Sequence, residues 1–130
     1  MKVLIADPDW SFAQRAQSYL ESRAHLVVVE RTAGDAIARA RHWQPEVVIA
    51  AAQIAQEDLL PSLAASHPRP AVLLTEFLHC YARAWRAWQR GGDELLLKPL
   101  LNIDELHLGI ITALENAATG HRHRPVAASA

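Results

Sequence analysis

Short apolar runs alternate with helix-period segments along the whole chain. Val3-Leu4-Ile5-Ala6 is the first run, and four consecutive apolar residues predict a strand buried on both faces. Trp10–Ser22 follows as a helix, with Phe12, Ala16 and Leu20 on one stripe. Leu26–Val29 reads as a second strand. Thr32-Ala33-Gly34-Asp35 has the Thr-x-x-acid form of a capping box and opens a helix through Trp43. Pro45 ends that helix, and Val47–Ala50 forms a third strand. Glu57–Ser66 reads as a third helix whose regular start Pro61 confines to about that point. Ala71–Leu74 is a fourth strand and Phe77–Arg90 a fourth helix, which Gly91-Gly92 stops in a left-handed turn. Leu95–Leu97 is a fifth strand. Asn102-Ile103-Asp104-Glu105 caps a last helix with Leu106, Ile110 and Leu114 at i, i+4, i+8.

Five near-continuous apolar runs, each followed by a helix, predict an α/β fold: a flavodoxin-like (βα)5, doubly wound five-stranded parallel sheet with helices on both faces. Ligands of such sheets bind outside the carboxyl ends of the strands. The expected division is one domain over residues 1–117 and a flexible tail over 118–130, where the apolar period is lost. There is no internal repeat.

Composition narrows the function classes. The chain has 130 residues, 51% hydrophobic and 21% charged, with a formal net charge of −1. It carries no global field toward nucleic acid or an anionic membrane. Its longest apolar run, Val47–Ala52, is far too short for a membrane span. Cys80 is the single cysteine, so an internal disulfide is impossible, and a reducing, cytoplasmic location is expected. Cys80 itself reads as a small buried hydrophobe.

Candidate chemistry collects at the strand ends. Asp7 follows the first run, Thr75 the fourth and Lys98-Pro99 the fifth. The third run ends in Ala50-Ala51. In VLIADPD, PEVVIAA, AVLLTE and GGDELLLKP, taken in that order and spacing, the chain resembles the receiver domain of bacterial two-component response regulators over roughly Lys2 to Ala117. The resemblance implies two acidic residues holding magnesium after the first strand, and a phosphoacceptor aspartate ending the third. It further implies a hydroxyl and a lysine for the phosphoryl oxygens, ending the fourth and fifth strands, and a cis bond before Pro99.

By position, Asp7 matches the first acid, Thr75 the hydroxyl and Lys98 the lysine. Pro8 stands at the second acid, with Asp9 one position on, and Ala51 stands at the phosphoacceptor. Glu76 occupies a position that is usually small, and Leu95 replaces an aromatic switch residue. An alanine methyl has no lone pair to attack phosphorus. Magnesium wants several oxygen ligands in near-octahedral array, so its binding is expected to be weak or absent. Glu76 places negative charge where phosphoryl oxygens would approach Thr75. Simpler roles compete with these: Asp7 pairing with Lys98, Asp9 capping the first helix, and Thr75 capping the fourth.

The leading expectation is a stand-alone, atypical receiver in phosphorelay-type signalling. It would lack the phosphoacceptor and act through phosphorylation-independent binding of a protein partner or a second copy. The resemblance implies a fourth-helix, fifth-strand, fifth-helix partner face, for which Trp85, Trp88, Leu95, Leu108 and Ile111 are candidates. The simpler reading of Trp85 and Trp88 is an aromatic-filled core. Alternatives are a receiver whose residual Asp7/Thr75/Lys98 pocket still senses a phosphoryl group or another small ligand, phosphorylation moved to Glu57 or Asp58, and a small flavodoxin-like enzyme. The enzyme reading lacks support, since neither the Ala6–Asp9 nor the Ala51–Gln56 turn contains a glycine for a phosphate loop. Arg83, Arg86 and Arg90 form a basic stripe, ordinarily a solvated face. His79-Cys80 and His121-Arg122-His123 lack the spaced partners of a zinc site.

Overall fold

A computed structural model describes residues 1–120. Five parallel strands, β1 (Lys2–Ala6), β2 (Leu26–Glu30), β3 (Val47–Ala51), β4 (Ala71–Phe77) and β5 (Glu94–Lys98), form one sheet in the order β2-β1-β3-β4-β5. The helices are α1 (Trp10–Ser22), α2 (Ala33–Trp43), an irregular α3 (52–64), α4 (Tyr81–Gly91) and α5 (Asp104–Thr119). This is the doubly wound architecture that the apolar runs predict. No helix among the described residues is long and apolar enough to cross a membrane.

Strand alternation sorts the core into two layers. Val3, Ile5, Val47, Ile49, Leu73 and Leu96 pack with Phe12, Ala16 and Leu20 of α1 and Leu106 and Ile110 of α5. Leu4, Val48, Val72, Leu74 and Leu95 face the other way, against α2, α3 and α4. Alanines on those helices, among them Ala36, Ala40, Ala84 and Ala87, let the backbones approach the sheet closely. The caps form as the spacing predicts. Thr32 Oγ1 accepts from Asp35 N–H at 3.1 Å. Before α5, Asn102 Oδ1 accepts from Asp104 N–H, while Glu105 reaches back to accept from Asn102 N–H at 3.0 Å.

Several boundaries differ from the sequence reading, each for a physical reason. Helical structure resumes at Ala52, directly after β3, rather than at Glu57. A piece at Ala52–Ile54 leads into a π-helical turn at Ala55–Leu59, broken at Glu57 (ψ −137°), and only Leu60–Ala64, with Pro61 in its first turn, is regular. Strand β4 runs three residues past Leu74, because Thr75, Glu76 and Phe77 pair with Leu96, Leu97 and Lys98 of β5. Phe77 therefore belongs to the sheet, and a single 3₁₀ turn at Leu78–Cys80 separates it from α4. The stop after α4 takes a positive φ at Gly91 (144°), in the region that favours glycine, and Gly92 after it is extended. At Gly92 the requirement is space, since an added Cβ would lie 2.5 Å from Leu74 Cδ1.

Trp88 and Leu95 are core residues, not part of a partner face. The indole of Trp88 fills the space that Ala84, Ala87 and Gly92 leave above Leu74, and Leu95 points into the same layer. Trp85 is half-buried against it. Leu114 is likewise half-buried, and Ala113 takes the inner position on α5. Cys80 is half-buried rather than enclosed. Helix α5 continues to Thr119, two residues past the expected domain end at 117, and His121 and His123 lie outside the described residues.

Candidate functional site

The carboxyl ends of β1, β3, β4 and β5 converge on a cleft of ≈ 250 Å³, lined by Asp7, Pro8, Asp9, Ala51, Gln53, Glu76, Phe77 and Lys98. Its position follows from topology. The strand order reverses between β1 and β3, so the loops after them diverge and leave an opening. Ala51 ends β3 in register with Thr75 of β4.

Lys98 is the organising group. It is 4% exposed, yet its Nζ lies 3.0 Å from Asp7 Oδ2 and 3.4 Å from Asp9 Oδ2. The rings of Phe12 and Phe77 stand 4.7 Å and 4.6 Å from the same ammonium, a cation–π sandwich that replaces part of the lost hydration. Thr75 Oγ1 donates to Asp7 Oδ2 at 3.4 Å, and Asp9 N–H donates to Asp7 Oδ1 at 2.8 Å. Both oxygens of Asp7 are thus engaged. Burial still raises the Asp7 pKa above its ordinary 3.8: desolvation outweighs the attraction and hydrogen bond of Lys98 and the hydrogen bond from Asp9 N–H.

A second charge cluster borders the cleft. Glu76, 3% exposed, receives both Arg83 Nε and Arg83 Nη2 and also accepts from Phe77 N–H at 2.8 Å. Its negative charge is therefore neutralised within the chain, which weakens the opposition to an anion near Thr75 that the sequence reading expects of it. The pair raises the Arg83 pKa further, the hydrogen bond to Glu76 being the main cause.

The structure thus gathers Asp7, Asp9, Ala51, Thr75 and Lys98 at one place. Asp9 caps α1 as expected, accepting from Phe12 N–H at 3.3 Å, and also holds Lys98. Thr75 turns to Asp7 instead of capping the helix that follows. The Lys98–Pro99 bond is cis, as the resemblance implies, and His67–Pro68 is cis as well. The aromatic sandwich and the Glu76–Arg83 pair were missed in the sequence; the only available cue was an arginine seven residues after a strand-end glutamate.

The two carboxylates of the β1 turn already share an ammonium, Pro8 offers no side-chain oxygen, and no group of three His, Cys, Asp or Glu among the described residues is placed to hold a metal. The His79 ring stacks on Phe77 at 5.6 Å.

No protein-family model matches the sequence. No curated protein matches it either. Solved structures do. The receiver domain of NtrX from Brucella abortus has a TM-score of 0.76 at 23% identity, covering 87% of this chain and 98% of that one. A signal receiver domain of a response regulator from Bermanella marisrubri gives 0.74 at 23% identity, covering 88% and 98%. The fold is that of a response-regulator receiver domain. The longer NtrX structure from Brucella abortus in complex with ADP gives 0.80 at 22% identity over 92% of this chain, which spans only 27% of that one.

Within this receiver fold, Leu108 and Ile111 are the exposed members of the expected partner face, both on α5. Glu57 and Asp58 are exposed on the π-helical turn of α3, several residues beyond the end of β3, and neither lines the cleft.

Proposed function

We propose that this chain is a receiver-like signalling module whose output is protein binding and whose working does not use an aspartyl phosphate. One observation carries the reading: Ala51 ends β3 beside Thr75, while Thr75 and Lys98 are both turned onto Asp7. A phosphoryl switch needs a nucleophile and needs the hydroxyl and ammonium to change partners between two states. Here a methyl group stands in the nucleophile's place, and the two reporting groups already hold a buried carboxylate. The cleft is held in one arrangement by its own charges. Magnesium binding is expected to be weak, and no catalysis is assigned. The reading is of a protein acting in the cytoplasm, a reducing compartment that suits the free thiol of Cys80. The partner is a signalling protein or a second copy, and Leu108 and Ile111 offer exposed apolar surface for it.

The test is chemical. The chain is incubated with acetyl phosphate and magnesium, and its intact mass is followed beside the Ala51→Asp variant. The unmodified chain should gain no phosphoryl group. A stoichiometric, acid-stable and alkali-labile adduct on the native sequence would overturn the reading. The cleft itself favours one second reading, in which a small ligand enters beside Ala51 and is sensed without covalent chemistry.

A further inference from the structure

Helix α4, Tyr-Ala-Arg-Ala-Trp-Arg-Ala-Trp-Gln-Arg-Gly, carries three arginines and no acidic residue, in a chain whose net charge is −1. Arg83, Arg86 and Arg90 recur at i, i+3 and i+7, which places them on one stripe along the helix. That stripe flanks the buried face of Ala84, Ala87 and Trp88 and borders α3. The three are held differently. Arg83 is bound by Glu76 at the wall of the cleft. Arg90 Nη1 donates to the Gln56 carbonyl of α3 at 3.1 Å, and Gln56 Nε2 donates to the Arg83 carbonyl at 2.8 Å. Arg86, between them, is exposed and has no hydrogen bond or ion pair among the described residues. The exposed Glu57 and Asp58 of the neighbouring turn form no ion pair with any of the three.

We propose that this stripe is a docking surface for an acidic peptide segment of a partner protein, and that Glu76 is its internal competitor. Charge complementarity supports this occupant, and the chain holds its own reference. Glu76 demonstrates what Arg83 accepts: a carboxylate taken by two guanidinium nitrogens at once, the geometry that favours arginine over lysine. An incoming acidic side chain offers Arg83 the same bond, while Arg86 and Arg90 supply two further charges along one line. Arginine is also the cation most enriched at the centres of protein interfaces. Because Glu76 lines the cleft, a segment that takes Arg83 also frees a carboxylate beside Phe77 and Lys98, so docking on the helix is felt at the strand ends. The inference extends the reading above, in which the surface is the output. Phosphorylation of the native chain would overturn that reading and leave the binding result untouched.

The test uses the full chain and a fluorescent hexaglutamate peptide, followed by anisotropy and by amide NMR shifts. Saturable binding is expected, with shifts centred on residues 81–91 and spreading to Glu76 and Phe77, and with affinity falling as salt rises. Glu76→Gln keeps an acceptor for Phe77 N–H but removes the competing charge, and should tighten binding several-fold. Arg86→Glu, an exposed change that leaves the core alone, should abolish it. A merely solvated basic stripe would bind no better after Glu76→Gln. That result, shifts centred elsewhere, or no saturable binding by either form, would overturn the proposal.

Discussion

Lys98 and Asp7 form an ion pair whose two members are both almost fully withdrawn from solvent, at 4% and 1% exposure. The other ion pairs among the described residues each keep at least one member partly exposed. Removing one member of a buried pair strands the other charge, at a cost of about 3–5 kcal/mol. Lys98→Ala should therefore destabilise the fold by that order in urea unfolding, while Lys98→Met combined with Asp7→Asn should recover much of the loss. A loss below about 1 kcal/mol for Lys98→Ala would mean that solvent reaches the pair.

Asp7 makes a prediction in the acid range. Its folded pKa lies above the ordinary 3.8, so the folded state keeps this proton to higher pH than the unfolded chain does. Across the interval just above 3.8 the folded form binds more protons, and the contribution of Asp7 to stability falls as pH rises through it. Titration of side-chain carboxyl carbons by NMR should place the Asp7 midpoint above 3.8. A midpoint below 3.8 would show that Lys98 and the hydrogen bond from Asp9 N–H outweigh burial.

Asp93 should matter more than its place in a turn suggests. It is buried, accepts from Val72 N–H at 2.7 Å and takes both terminal nitrogens of Arg69, at 3.1 and 3.2 Å. It therefore ties the start of β4 to the entry of β5. Asp93→Ala leaves the Val72 N–H without its carboxylate and should cost about 2–3 kcal/mol by denaturant unfolding. The neighbouring Gly92→Ala should cost about 1–3 kcal/mol, through overpacking against Leu74. Near-neutral values for both would contradict the packing described for this corner.

The contrast between Asp93 and Asp7 shows what the sequence could convey. Asp7, Thr75 and Lys98 were legible because each terminates an apolar run, and the topology of a parallel sheet brings such termini together. Strand and helix order, the Thr32 cap and the Asn102/Glu105 cap were legible because they depend on residues three or four apart. Buried charges within strands were not. Glu76 looked like the end of a strand because the partner that makes its burial tolerable, Arg83, lies on the next element. Leu95 and Trp88 looked available for a partner because hydrophobic residues on a helix or strand do not announce which face is covered. The small residues that admit Trp88, Ala84 and Gly92, lie four residues before and after it. The early start of α3 was hidden because Ala52–Ala55 carries no cap and no polar stripe.

The most direct test of the central claim is an amide NMR titration with magnesium, then with magnesium and beryllofluoride, which imitates an aspartyl phosphate. A cleft already closed on its own charges predicts no saturable shifts clustered at Asp7, Ala51, Thr75 and Lys98. Saturable shifts there, spreading to Leu95 and helix α4, would show that the cleft still reads a phosphoryl-like ligand and would contradict the account of a phosphorylation-independent binding module.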